Sequence, residues 1–312
     1  MAKSSVRVAF VGFGEVAAVF SAALREAGAG VAAYDLLLDQ VHGLVSLERR
    51  ALAEGIAFRP LAEAVAGADC VLSTVTTDRA EDAARGCAAH LKPGQVYLDL
   101  NATSPEVKRR IAAIVGAAGA EFVEGAVLGA VGVTGAATRI LLGGARGRET
   151  ARVLSNLGLD ARFYSAEVGQ ASAFKMLRSV FSKGLEALVL EFLIAGRRAG
   201  LEQDLWREVC DLLERNPFGQ VAENWVRSHA LAHERRYHEM VQVVEVLREL
   251  GLEPVMTAAT EALFKRSQTL GLVAAFAEKP QTMDQVIEFM ERKLGAATSA
   301  PPGRTPNGKE VE

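Results

Sequence analysis

Val6-Arg7-Val8-Ala9-Phe10-Val11-Gly12-Phe13-Gly14-Glu15-Val16-Ala17 is a valine-rich apolar run that stops at a glycine and passes into a helical pattern. An apolar run bounded by a glycine turn predicts a strand buried on both faces of a parallel sheet. Helical periodicity then runs from Glu15 to Ala27, with Gly28 as a C-cap signal. The GxGxxA spacing gives each small residue a task. Gly12 permits the tight turn, Gly14 lets the backbone approach a ligand, and Ala17 lets the helix pack closely on the strands. Free N–H groups and the dipole at such a helix start favour an anion, so a diphosphate is the expected guest.

The alternation continues outward from this turn. Val31–Tyr34 reads as the next strand, closed by Asp35. Helical stretches are expected near 39–54, 61–66, 79–90 and 104–118, with strands near 56–58, 70–75, 95–99, 121–124 and 139–142. Strands alternating with helices imply right-handed crossovers and a doubly wound parallel sheet of the Rossmann type. Near residue 165 the pattern becomes all helical, with helices at about 167–199, 202–214, 218–232, 235–250, 254–270 and 282–294. Gly200 and Gly251 act as stops, and Pro217, Pro254 and Pro280 fall at starts or breaks. The reading is an α/β domain over 1–165, an all-α domain over 166–296 and a Pro/Gly-rich disordered tail over 297–312.

The chain has 312 residues, half of them hydrophobic and 23% charged, and its 38 acids and 35 bases are interspersed to a net charge of −3. Without a basic stripe, nucleic acid and anionic membranes are not expected partners. The segment MAKSSVRVAFVGFG lacks the apolar core and cleavage site of a signal peptide. The apolar stretch from Ala171 to Ala199 carries Lys175, Arg178, Lys183, Glu186 and Glu191, which argues against a membrane span. Three scattered cysteines make neither a disulfide framework nor a metal site, so a soluble protein of a reducing cytoplasm is expected.

Asp35 lies about 20 residues beyond the glycine turn, where a dinucleotide-binding fingerprint places an acid. A carboxylate there accepts a hydrogen bond from a ribose 2′-hydroxyl and repels a 2′-phosphate. Leu36, Leu37 and Leu38 supply no arginine for that phosphate, so NAD is favoured over NADP. Two other classes share a glycine loop of this kind. An S-adenosylmethionine-dependent methyltransferase usually carries an acid at the end of the first strand, where this chain has Ala9, Phe10 and Val11. A nucleotide-sensing regulator with a degenerate site remains open.

Four segments in order, VAFVGFGEVA (8–17), LDLNATSP (98–105), FVEGAVLGAV (122–131) and GQASAFKMLRSVFSKGLEAL (169–188), carry a family resemblance across about residues 5–295. The chain resembles the β-hydroxyacid dehydrogenase superfamily, which includes 6-phosphogluconate and 3-hydroxyisobutyrate dehydrogenases. It looks most like the branch that joins such an NAD-binding domain to its own C-terminal helical domain. The resemblance implies that Lys175 is the general acid/base, with hydride passing to or from nicotinamide C4 and a small hydroxylated or carbonyl compound as substrate. Cofactor contacts are implied for Gly12, Phe13, Gly14, Glu15 and Val16, with Thr74, Val75 and Thr76 beside a ribose. Asn101, after the fifth strand, is a candidate cofactor or substrate contact that assists Lys175. The family's asparagine four residues after the lysine is Ser179 here, and Arg178 is placed to hold an anionic substrate. The carboxylate-gripping serine and two glycines correspond to Leu128, Gly129 and Ala130, so the usual 3-hydroxy acid pocket is altered. Imine reduction, which related folds perform, is the rival reaction. The resemblance also implies a homodimer built through the helical domain.

The remaining candidates have plainer readings. Asp78 is expected as a helix N-cap, and Ser104 as an N-cap followed by Pro105 at the first helical position. His229 and His233 sit four apart with Glu234 and His238 nearby, but without a third ligand at a recognisable spacing they read as a polar helix face. Cys70 reads as a buried strand residue.

Overall fold

The computed structural model of the chain describes residues 6–36 and 55–298. The helix expected at 39–54, Leu37 and Leu38, and the tail from 299 onward lie outside the described residues. The chain divides into two compact units, Met1–Phe181 and Ser182–Glu312.

The first unit is built on a sheet of eight strands: β1 (Arg7–Val11), β2 (Gly30–Tyr34), β3 (Ala57–Phe58), β4 (Cys70–Ser73), β5 (Val96–Asp99), β6 (Glu121–Leu128), β7 (Arg139–Gly143) and β8 (Ala161–Ser165). Their order is β3-β2-β1-β4-β5-β6-β7-β8. The first six run parallel, and the chain direction of the winding reverses between β1 and β4. That reversal opens the ligand crevice of a Rossmann sheet at the carboxyl ends of these two strands.

The two-residue period of each strand divides its side chains between two cores. Val8 and Phe10 of β1, Leu72 of β4 and Leu98 of β5 pack on one face with Phe20 and Leu24 of helix α1 (Glu15–Glu26). Ala9, Val11, Val71 and Tyr97 pack on the other face with helices α2 (Leu61–Ala66), α3 (Ala80–Ala88) and α4 (Pro105–Ala117). Helix layers on both faces explain why the strands read as continuous apolar runs. Cys70 is buried in β4 as expected, and burial pushes its thiol up to about 12.

Four features of this unit depart from the sequence pattern. β6 continues four residues past its expected end because Glu124–Leu128 pair with β7. That pairing is antiparallel, since the ten residues 129–138, including the short helix α5 (Val131–Thr134), turn the chain back without a full crossover. β8 was not expected, and it lies parallel to β7 after the crossover helix α6 (Gly147–Asn156). Asp78 falls inside a single helical turn, Thr77–Arg79, and makes no N-cap hydrogen bond. Ser104 does cap α4: its Oγ accepts from the Val107 N–H at 3.3 Å, with Pro105 at the first turn.

Helix α7 (Gln170–Ala199) spans the division between the units. The second unit continues with α8 (Glu202–Arg215), α9 (Phe218–Glu249), α10 (Val255–Gln268), α11 (Leu272–Ala275) and α12 (Met283–Thr298). The two helices expected at 218–232 and 235–250 are one 32-residue helix, because the two residues between them, His233 and Glu234, are no breakers and His233 packs into the core. His229 and His233 are therefore buried rather than on a solvated face. His229 Nε2 meets Ser267 Oγ at 2.9 Å, and His233 Nδ1 meets the His229 carbonyl at 3.1 Å. No described helix is long and apolar enough to cross a membrane.

Burial, helped by His233 and Arg236, pulls the His229 imidazolium down to about 4 from its ordinary value of about 6.5. The unfolded chain thus binds a proton at this residue below about pH 6.5, while the folded chain resists it until about pH 4. Stability falls as pH drops through that window. In full-chain melting curves, His229→Gln is expected to flatten the decline between pH 6.5 and 4. An unchanged slope would mean that another group governs it.

Candidate active site

The glycine turn forms where three strand ends meet. Gly12 has φ +87°, and its N–H donates to the Tyr34 carbonyl at 2.8 Å. A Cβ at Gly12 would lie 2.8 Å from both the Thr74 carbonyl oxygen and Val75 Cγ1, so only glycine fits. The Thr74 hydroxyl in turn donates to the Gly12 carbonyl at 2.7 Å. Asp35 Oδ2 accepts from the Phe13 N–H at 2.6 Å, which brings the acid of the second strand onto the loop. Gly12, Phe13, Asp35, Thr74 and Val75 are thereby gathered at the switch point.

A nicotinamide dinucleotide fits this end of the sheet. A Cβ at Gly14 would meet nothing within 4 Å, so the backbone there is open to close approach. Gly14 is also the N-cap of α1 and offers no side-chain cap to the first turn, leaving its N–H groups for an anion. Glu15 and Val16 form that first turn, with Glu15 exposed and Val16 half-buried. Thr76 is exposed at the end of the same loop.

Beside the carboxyl end of β5 lies a cavity of about 260 Å³ whose lining includes Asn101, Thr103, Gly125, Ser172, Lys175 and Ser179. Lys175 and Ser179 both project from the first turns of α7, four residues apart on one face. The Lys175 side chain makes no hydrogen bond or ion pair among the described residues. Burial pulls its ammonium below the ordinary lysine value, and the charge of Lys108 acts in the same direction.

Beneath the cavity is a buried polar network that the sequence reading did not single out. Lys108 and Asp99 are both fully buried, with Lys108 Nζ 3.1 Å from Asp99 Oδ2. Lys108 Nζ also donates to the carbonyls of Asp99 and Asn101, each at 2.8 Å. Asp99 Oδ1 accepts from the Asn101 N–H at 3.0 Å and from Asn101 Nδ2, which also donates to Ser73 Oγ at 2.9 Å. Three cation contacts and a carboxylate therefore hold the turn that presents Asn101. Lys108 reads in the sequence as one more cation of a polar helix, so nothing there marks it as buried.

A second buried acid fixes α7. Glu124 Oε1 accepts from the Gly169 and Ala171 N–H groups at 2.8 and 3.0 Å, and Oε2 accepts from the Ser172 hydroxyl at 2.7 Å. The first turn of α7 contains no acid of its own, and Glu124 supplies one from β6. The available signal was a lone carboxylate inside an otherwise apolar strand, which requires a partner when buried.

The structure thus brings Asn101, Lys175 and Ser179 to one cavity. Arg178 is exposed and absent from its lining, as are Leu128, half-buried at the end of β6, and the exposed Gly129 and Ala130.

Sheet and glycine turn together define a dinucleotide-binding domain of the Rossmann class. Residues 7–161 match the NAD binding domain of 6-phosphogluconate dehydrogenase, and residues 197–267 match DUF1932, a domain of unknown function. A conserved protein of unknown function, whose solved structure is similar to 3-hydroxyacid dehydrogenases, shares 33% identity over 85% of this chain and 97% of its own, with a TM-score of 0.57. The 2-(hydroxymethyl)glutarate dehydrogenase of Eubacterium barkeri is 21% identical over 95% of this chain and 99% of its own. The imine reductase of Streptomyces aurantiacus has the same fold, with a TM-score of 0.72 at 18% identity over 91% of this chain and 99% of its own. The chain belongs to the β-hydroxyacid dehydrogenase superfamily, in a branch that joins the 6-phosphogluconate dehydrogenase-like NAD-binding domain to a DUF1932 domain.

Proposed function

We propose that the protein oxidises a small hydroxylated compound, or reduces the corresponding carbonyl, with Lys175 as general acid/base. The observation that carries this reading is Lys175 itself: a half-buried, unpaired lysine in a cavity beside the carboxyl edge of a dinucleotide-binding sheet. The bound cofactor supplies a hydride acceptor, or donor, at nicotinamide C4. In oxidation the neutral Lys175 amine removes the hydroxyl proton as the carbon–hydrogen bond gives up its electron pair. In reduction the ammonium returns that proton to the carbonyl oxygen. Asn101, held by Asp99 and Ser73, and Ser179 orient the substrate next to Lys175. Gly12, Phe13, Gly14, Glu15 and Val16 hold the diphosphate, and Thr74, Val75 and Thr76 flank a ribose. Asp35 accepts from the 2′-hydroxyl, which favours NAD over NADP.

The lowered lysine value gives a direction to the pH dependence. Alcohol oxidation with NAD⁺ is expected to rise with pH and level off below the ordinary lysine range, near 10.4. Carbonyl reduction is expected to fall over the same interval. Profiles of kcat/KM in both directions check this, and an oxidation rate independent of pH would remove Lys175 as the base.

Reduction of a C=N bond is the second reading, supported by the altered Leu128 and Ser179 positions and by the fold shared with the imine reductase. The proposal extends to a cytoplasmic homodimer through the helical unit. Leu190, Ile194 and Trp206, each at least 44% exposed, supply apolar surface for such an interface.

A further inference from the structure

Most of the uncharged polar side chains that line the cavity face it as acceptors. Asn101 Nδ2 donates to Asp99 and to Ser73, and turning the amide over would set its oxygen against the Asp99 carboxylate. The Ser172 hydroxyl donates to Glu124 at 2.7 Å, and the Ser179 hydroxyl donates to the Lys175 carbonyl at 3.0 Å. These three side chains have committed their protons and offer the cavity lone pairs. Asn101 Oδ1 is fully buried and has no hydrogen-bond partner among the described residues. Two lining side chains keep a proton to give: Lys175, and Thr103, whose buried Oγ1 is also without a partner among the described residues.

We infer that the cavity selects a substrate bearing a hydrogen-bond donor, a hydroxyl or an amine N–H, close to its reacting carbon, and discriminates against one bearing a carboxylate there. This rests on the assignment of Lys175 as acid/base, because a lysine serving the reacting oxygen is not available to neutralise a carboxylate. A carboxylate only accepts, so it would lose its hydration to face Asn101 Oδ1 and the lone pairs of Ser172 and Ser179. A hydroxyl or amine satisfies Asn101 Oδ1, which otherwise stays buried and unpaired. Leu128, standing where the resemblance places a carboxylate-gripping serine, has no proton to donate.

Three alcohols with one framework test the inference: butane-1,3-diol, 4-amino-2-butanol and 3-hydroxybutyrate, which differ in their terminal group. With NAD⁺, kcat/KM for the diol and the amino alcohol is expected to exceed that for 3-hydroxybutyrate by about tenfold or more. Thermal unfolding of the NADH-loaded protein gives a readout independent of turnover. The diol and amino alcohol should raise the melting temperature above that with 3-hydroxybutyrate, and Lys175→Met should keep this order. A Lys175→Met protein that keeps the binding order and also full turnover would sink the acid/base assignment while leaving the donor preference standing. Asn101→Leu should abolish the preference; should that variant fail to fold, Ser179→Ala, which leaves the Asp99 network whole and removes one acceptor from the lining, should weaken stabilisation by the diol. Equal or greater stabilisation by 3-hydroxybutyrate, stabilisation by none of the three, or a preference untouched by the variants would overturn the inference.

Discussion

Lys175→Ala is expected to lower turnover by about 10²–10⁴-fold, the usual contribution of a positioned acid/base. NADH affinity should stay within a few-fold of wild type, because the glycine turn, Asp35 and Thr74 are held by their own hydrogen bonds at the strand ends. Folding should not suffer either. The Lys175 side chain makes no hydrogen bond or ion pair among the described residues, and burial and the charge of Lys108 both disfavour its ammonium. Removing it relieves that tension, so the melting temperature should be unchanged or slightly higher. Steady-state rates, a cofactor titration and a melting curve on one preparation separate the possibilities. Loss of turnover together with loss of NADH binding would point to a structural role for Lys175 and against acid/base chemistry.

The second large effect is expected on stability. Lys108→Met leaves Asp99 fully buried without its counter-ion and removes the donors that hold the Asp99 and Asn101 carbonyls. Breaking a buried pair from one side costs about 3–5 kcal/mol. For a domain of this size that corresponds to a fall in melting temperature of about 6–20 °C. Lys108→Met combined with Asp99→Asn should recover a substantial part of the loss, since the second change removes the uncompensated charge and keeps an acceptor for the Asn101 N–H. A single variant that melts within a degree of wild type would show that water reaches Asp99 once the lysine is gone.

These residues also show what the sequence could and could not convey. The sheet was legible because apolar runs ending at glycine and the helical stretches between them are local patterns. Gly12, Gly14 and Asp35 were legible because the distances between them along the chain follow from one strand, one turn and one helix. The reversal of β7 was not legible, because the short return between β6 and β7 leaves no trace in apolar periodicity. The continuity of α9 through His233 was missed because a His- and Glu-rich stretch resembles a solvated break until its packing partners are known. Lys175 stood out through family resemblance rather than through its own surroundings in the chain. Lys108 left no mark in the sequence, and Glu124 showed only as a carboxylate in an apolar strand without its partners, for a common reason. Their partners Asp99, Asn101 and Gly169 to Ser172 come from the ends of other elements, so pairing depends on tertiary packing that no local pattern encodes.

Thermal unfolding of the purified chain with NADH, with NADPH and with neither tests most directly that this is a nicotinamide-dependent oxidoreductase. A cofactor present at 100 times its dissociation constant stabilises the fold by about 2.7 kcal/mol, which moves the transition by several degrees. The account predicts a clear upward shift with NADH and a smaller one with NADPH, since the proposal has the Asp35 carboxylate accept from a 2′-hydroxyl and repel a 2′-phosphate. No shift with either cofactor would contradict it and leave a degenerate nucleotide fold in its place.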